Sequence, residues 1–157
     1  MKRRVHAITF VVSFLVVIAV AVVGSIVMDN QAESAWYAQV KSAITPPNWI
    51  FGPVWTILFI LLALSLAFAW DSAKDKKQRG RVILSYGLNF FFNVSWSVLY
   101  FGIHNSAAAF IDLIALWISV VVMVGVTWRR DIRAAWLLLP YLLWVTFAGI
   151  LNYMSIG

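Results

Sequence analysis

The stretch WYAQVKSAITPPNWIFGPVW, Trp36 to Trp55, holds three tryptophans, three prolines and one lysine between two long apolar runs. Tryptophan and proline cluster in this way where a chain leaves one membrane span and turns into the next. The surrounding composition agrees. Of the 157 residues 63% are hydrophobic and 11% are charged. A soluble domain of this length has too small an interior to hide that much apolar surface, so most of its solvent must be lipid.

Working outward from this turn, five runs are long enough for helices that cross a bilayer, which takes about 20 apolar residues each. They cover approximately Val5–Met28, Trp49–Trp70, Val82–Ile103, Ala107–Trp128 and Ala134–Ser155. Helices are expected because backbone polar groups in lipid must be bonded within their own segment. The alternating pattern of a membrane barrel is missing. The sequence therefore predicts an all-α integral membrane protein, a bundle of five transmembrane helices in a single domain over residues 1–157. Lys2, Arg3 and Arg4 precede the first span. Lys74, Lys76, Lys77, Arg79 and Arg81 follow the second, and Arg129, Arg130 and Arg133 follow the fourth. Eleven of the twelve basic residues thus share one side, with Lys41 alone on the other. The positive-inside rule puts that side, and the N-terminus, in the cytoplasm and the C-terminus outside. The same distribution argues for topology rather than nucleic acid as the meaning of the +6 net charge. Ala19-Val20-Ala21 resembles a signal-peptide cleavage site, but the apolar run is longer than such segments usually are, and the first span is kept.

In the turn, Thr45-Pro46-Pro47 predicts a helix start capped by Thr45, with Pro53 about one turn further in. Trp36 and Trp49 suit an interfacial aromatic belt, as does Tyr37. Other aromatics share helix faces instead. Trp55 and Phe59 are four apart, Asn93 and Trp96 three apart, and Trp144, Ala148 and Leu151 form a stripe on the fifth span. Asn93 is expected to point inward, because a bare amide facing lipid is costly. If the three faces converge they build an aromatic-walled pocket for a flat, hydrophobic, conjugated molecule. Asp112 is the one acid well inside a span and a functional candidate on that ground, although no second acid or base stands at its depth. Without cysteine, and with His6 and His104 far apart and no acidic cluster between them, no metal site is expected. No catalytic triad, phosphate loop or nucleotide fingerprint is present. Gly24-Ser25, Ala63 with Ala67, and residues 107–109 are small enough for close helix packing, within the bundle or in a homodimer. Arg81, Tyr86 and Leu88 match a weak sterol-type pattern.

Three stretches together resemble the TspO/MBR family of tryptophan-rich sensory proteins, also called translocator proteins or peripheral benzodiazepine receptors. They are WYAQVKSAITPPNWIFGPVWTILF, LNFFFNVSWSVLYFG and PYLLWVTFAGILN, and the similarity runs over almost the whole chain. The resemblance implies a five-helix bundle whose pocket opens toward the first loop. It implies a pocket for porphyrins such as protoporphyrin and haem-like tetrapyrroles, and for isoquinoline-carboxamide and benzodiazepine-type drugs. Carried over by motif, the ligand-binding residues are Tyr37, Trp55, Phe59, Asn93, Trp96, Trp144, Ala148 and Leu151. Porphyrin is expected as ligand, with no covalently bound cofactor. The partners implied are porphyrins and other flat hydrophobic molecules, the lipid bilayer, and a second copy of the chain, with no nucleic acid. The location implied is a bacterial cell membrane. Where the family carries Lys-Pro-x-Trp, this chain has Lys41, Ser42, Ala43 and Ile44, one residue short, so its loop is expected to take its own path and form a looser lid. Tyr153 has no basic residue after it, so sterol binding is not carried over. The first functional reading is a receptor that senses, sequesters or moves porphyrins. The second is light-dependent oxidative breakdown of bound protoporphyrin, with Trp55 and Trp144 as candidate catalytic residues. A cation-drug antiporter would need an acid deep in the first span, and none is there.

Overall fold

The computed structural model describes residues 6–29 and 31–156. The N-terminal basic residues Lys2, Arg3 and Arg4, and Val5 at the expected start of the first span, lie outside that range. Among the described residues there are six α-helices: α1 (Ala7–Met28), α2 (Ala35–Val40), α3 (Asn48–Ser72), α4 (Lys76–Ser97), α5 (Ser106–Trp128) and α6 (Ile132–Met154). All but α2 are long and apolar enough to cross a membrane, α4 together with the π-helical turn Val98–Gly102 that continues it. The protein is an integral membrane protein with five spans. Large apolar side chains such as Ile8, Leu15, Ile57, Phe91, Ile111 and Leu143 are more than half exposed around the outside, as lipid-facing residues must be.

The helix ends follow capping chemistry rather than hydropathy. Asp75 accepts the Gln78 N–H at 2.7 Å, Asn105 the Ala108 N–H at 2.9 Å and Asp131 the Arg133 N–H at 3.0 Å. Hence α4 begins at Lys76, ahead of the expected Val82, since lysine, glutamine and arginine extend a helix readily beyond the apolar zone. Likewise α3 runs on to Ser72. The expected Thr45 cap is not formed. Pro47 occupies the cap position without a side-chain bond, and the Thr45 hydroxyl lies 3.2 Å from that of Ser42 inside the turn.

Contacts run α1–α3–α6–α5–α4 and back to α1, closing a ring whose order differs from chain order. Consecutive helices α3 and α4 touch little, because α6 and α1 fill the two sides of α3. On the side of the basic loops the interior is tightly closed. Ala63, Ala67, Ser65, Asn89 and Leu138 are fully buried. The Ser65 hydroxyl lies 2.6 Å from that of Tyr86 and donates to the Ala134 carbonyl at 2.7 Å, tying α3, α4 and α6 together. Asn89 donates to Ser119 Oγ at 2.9 Å and accepts from the Tyr141 hydroxyl at 3.2 Å, and Asn93 donates to that same hydroxyl at 3.1 Å. In lipid such bonds hold helices together at about 0.6 kcal/mol each.

Candidate functional site: an aromatic chamber under the first loop

Toward the other face the packing opens. The α1–α3 connection folds as a 3₁₀ turn (Gln31–Glu33) and the short helix α2, whose cap Ser34 accepts the Tyr37 N–H at 3.2 Å. This lid is held by aromatic contacts to the end of α4. Trp36 stacks on His104 at 4.5 Å and meets Tyr100 edge-on at 5.2 Å. Trp36 is therefore a packed residue rather than a free belt residue, whereas Trp49 is 73% exposed, as a belt requires. Tyr37 is buried beneath the lid against Tyr100 and Phe101. Burial, and secondarily Tyr100 close by, pushes its phenol pKa up to about 12.

The end of α4 is shaped by its π turn, in which the Ile103 N–H donates to the Val98 carbonyl at 2.8 Å. One extra residue in the turn rotates the side chains after it, and π turns favour functional sites for that reason. Here Tyr100 stacks on Trp96 at 5.3 Å, and Phe101 meets Trp96 edge-on. The helix ends at Gly102, and beyond its cap Ile103 the φ of 59° at His104 places a non-glycine residue in the left-handed region. Its ring, stacked on Trp36 and 3.1 Å from Gln31 Oε1, is what holds it there.

Beneath the lid lies a chamber of about 210 Å³. Six of the eight residues expected from the sequence line it: Tyr37 from the lid, Trp55 from α3, Trp96 from α4, and Trp144, Ala148 and Leu151 from α6. Phe59 and Asn93 do not. They line a second, more open chamber of about 520 Å³ bounded by α1, α3 and α4. The two chambers share Met28, Phe51, Gly52, Trp55 and Trp96 as a common wall. Asn93 is spent on the Tyr141 hydroxyl. Phe59 lies one turn deeper than Trp55, with their rings 5.4 Å apart.

The first chamber reaches further outward than the helix faces predicted from spacing. Phe51, Tyr100 and Asn152 also line it, each four residues outward from Trp55, Trp96 or Ala148. Continuing the same stripes one turn would have found them. Gly52 keeps the shared wall thin, since a Cβ built there meets nothing within 4 Å. The polar groups differ in their commitments. Trp96 Nε1 donates to Asn152 Oδ1 at 3.0 Å, and the Asn152 amide donates to the Ser106 carbonyl at 2.9 Å. The buried Trp144 Nε1 donates to nothing among the described residues. Lys41, Ser42, Thr45 and Asn48 line the loop side of the first chamber, and among the described residues no carboxylate does. Its chemistry is that of flat aromatic walls, hydrogen-bond donors and one cation. Asp112 lies outside both chambers, beside Ser95 of α4, with one buried carboxyl oxygen unpartnered among the described residues.

Residues 12–156 match the model of the TspO/MBR family. The chain is 40% identical over 146 residues to tryptophan-rich protein TspO of Archaeoglobus fulgidus, covering 91% of this chain and 92% of that one. It is 34% identical over 136 residues to tryptophan-rich protein TspO of Chlorobaculum tepidum, covering 87% and 86%. The translocator protein of Ovis aries is 33% identical over 121 residues, covering 75% and 71%.

Proposed function

The chain belongs to the TspO/MBR family, and we propose that it is a membrane receptor for porphyrins, which it senses, sequesters or moves. The observation that carries this reading is the first chamber: aromatic walls from α3, α4 and α6, an indole N–H on Trp144 without a partner among the described residues, and Lys41 at the rim with no carboxylate among the described lining residues. A conjugated macrocycle stacks on such walls, each ring contact adding about 0.5–1.5 kcal/mol beyond area burial. In the first chamber its carboxylates face donors rather than acids, while Asp29 lines the second. Pockets for drug-sized ligands run to about 300–1,000 Å³, more than the first chamber offers, so a porphyrin lies across the wall shared with the second chamber or lifts the lid. Neutral aromatic drugs of the isoquinoline-carboxamide and benzodiazepine types fit the same walls. The basic loops face the cytoplasm in this reading and the C-terminus faces out. The protein has no cysteine, so single cysteines at Ser72 and Ile156 report their sides cleanly, and labelling of both from one side would refute the orientation.

A second reading is favoured by the presence of Trp55 and Trp144 in one chamber. Under light, an indole ring gives one electron to the excited macrocycle, leaving an indole radical cation and a porphyrin radical anion, and dioxygen takes that electron up as superoxide. These radicals then break the macrocycle down oxidatively. Spectral titration with protoporphyrin in darkness and then under light separates the two readings. A receptor binds in darkness and yields no light-dependent product. Trp144→Phe then weakens dark binding by about tenfold or less. A photochemical catalyst loses nearly all product in Trp144→Phe while dark binding persists. No saturable binding in darkness would sink both.

A further inference from the structure

A third cavity lies on the side of the basic loops, remote from the lid and separate from the two chambers. It is a groove of about 420 Å³ opening toward lipid between α1, α3 and α4, at the place where α3 and α4 barely touch. Its walls are residues 8–16 of α1, Leu66 and Trp70 of α3, and residues 82–90 of α4. Eight residues of helix advance about 12 Å, so the groove runs through most of one leaflet of a hydrocarbon core about 30 Å thick. Its floor is set by Tyr86, whose hydroxyl is already bonded to Ser65. Gly87 leaves the groove open, since a Cβ built there meets nothing within 4 Å.

The groove has a charged mouth. On α4 the lining positions recur three and four residues apart, and the same stripe continues outward through Arg79 to Lys76. The Arg79 guanidinium sits 5.3 Å from the centre of the Trp70 ring, which itself lines the groove. Among the described residues neither Arg79 nor Lys76 makes an ion pair. Of the acids at this end, Asp71 is engaged by the His6 backbone N–H at 2.6 Å and the Thr9 hydroxyl at 2.8 Å, Asp75 accepts the Gln78 N–H at 2.7 Å as the cap of α4, and Asp131 pairs with Arg133 at 2.7 Å. An apolar slot one leaflet long that ends in two cations matches one molecule of the bilayer: an acyl chain below, a phosphate above.

We propose that this groove is a binding site for an anionic phospholipid of the leaflet on the basic side, with one acyl chain between α1 and α4 and the headgroup phosphate on Arg79 and Lys76. The site stands apart from the porphyrin reading and does not rest on it.

The test uses the full chain in nanodiscs that carry a trace of phosphatidylglycerol with a diazirine in its acyl chain, and in parallel phosphatidylcholine with the same chains. After photolysis, the labelled positions are mapped by mass spectrometry. In the wild type, phosphatidylglycerol label concentrates on residues 8–16, 66–70 and 82–90. Arg79→Gln lowers the preference for phosphatidylglycerol over phosphatidylcholine by about fivefold, the worth of one cation at a membrane surface. Gly87→Leu fills the slot and lowers groove labelling by both lipids about fivefold or more. Gly87→Ala, which adds only the one carbon the space accepts, labels as the wild type and shows that a loss in Gly87→Leu is not a general fault of position 87. Label spread evenly over the lipid-facing helices, or equal labelling by the two lipids in the wild type, would overturn the proposal. So would a folded Gly87→Leu variant that labels as the wild type does.

Discussion

The half of the bundle nearest the basic loops and the half beneath the lid are built from similar residues and do opposite things with them. Both combine tyrosine, small residues and side-chain amides. In the basic half, Ser65, Tyr86, Asn89, Ser119 and Tyr141 make side-chain hydrogen bonds across four helices, and alanines 63 and 67 let α3 approach its neighbours with no exposed surface. In the lid half the large rings meet edge to edge and leave a chamber between them, and the Trp144 N–H has no partner among the described residues. The difference is one of size at facing positions. Large against small closes an interface, whereas ring against ring, with Gly52 and Ala148 beside them, props it open. The closed interior therefore belongs to one half and the chamber under the lid to the other.

The contrast is most exposed to a core truncation. Leu138→Ala, at a fully buried site in the closed half, should destabilise the bundle by about 2–5 kcal/mol. Dark porphyrin affinity of the surviving folded protein should change little. Thermal unfolding in detergent alongside a binding titration measures both, and a variant that loses affinity but not stability would reverse the assignment of the two halves.

Ala148→Leu makes the opposite demand. Filling the chamber should cost about 1–3 kcal/mol of binding, with the unfolding temperature near that of the wild type. Unchanged porphyrin affinity in a folded Ala148→Leu protein would reduce the α6 stripe to ordinary packing.

A smaller effect is expected at the rim. Lys41 is exposed, so its attraction for a ligand carboxylate is worth about 1 kcal/mol at most, or about fivefold in affinity. Lys41→Gln should weaken protoporphyrin by that amount and leave its dimethyl ester unaffected. Equal losses for acid and ester would mean that Lys41 shapes the loop rather than meets a charge.

The smallest effect concerns pH. With its pKa pushed up to about 12, the Tyr37 phenol stays neutral where a free tyrosine, near 10, has begun to ionise. A raised pKa in the folded lid means that the lid's stability is whole below pH 10 and falls as pH climbs from there through 12. Hydrogen exchange across residues 35–41 should show the lid equally protected at pH 7 and 9. Opening already at pH 9 would place Tyr37 in water and not under the lid. The same exchange data at Ser42–Thr45 test whether the divergent loop is loose, since strong protection there without ligand would contradict that expectation.

Much of this was open to reading in the chain itself. Five spans follow from apolar runs of membrane length, because lipid forces each run to be a helix on its own. The faces of Trp55, Trp96 and Trp144 follow from helical spacing, which is a property of each helix alone. The helix ends were legible only in part. Hydropathy marks where the chain leaves the hydrocarbon, whereas Asp75 and Pro47 mark where the helices begin.

Which faces meet was another matter. The ring order α1–α3–α6–α5–α4 is set by long-range packing, and it alone decides that Trp55, Trp96 and Trp144 share one chamber while Phe59 and Asn93 fall to its neighbour. Phe101 enters the site through a π turn that no spacing rule announces, since that turn breaks the 3.6-residue period. The groove at Gly87 exists because α3 and α4, adjacent in sequence, are kept apart by the helices packed on either side. Local patterning determined that this protein has five spans and which residues each turns inward. Only the tertiary structure decided where those inward faces close on one another and where they leave room for a guest.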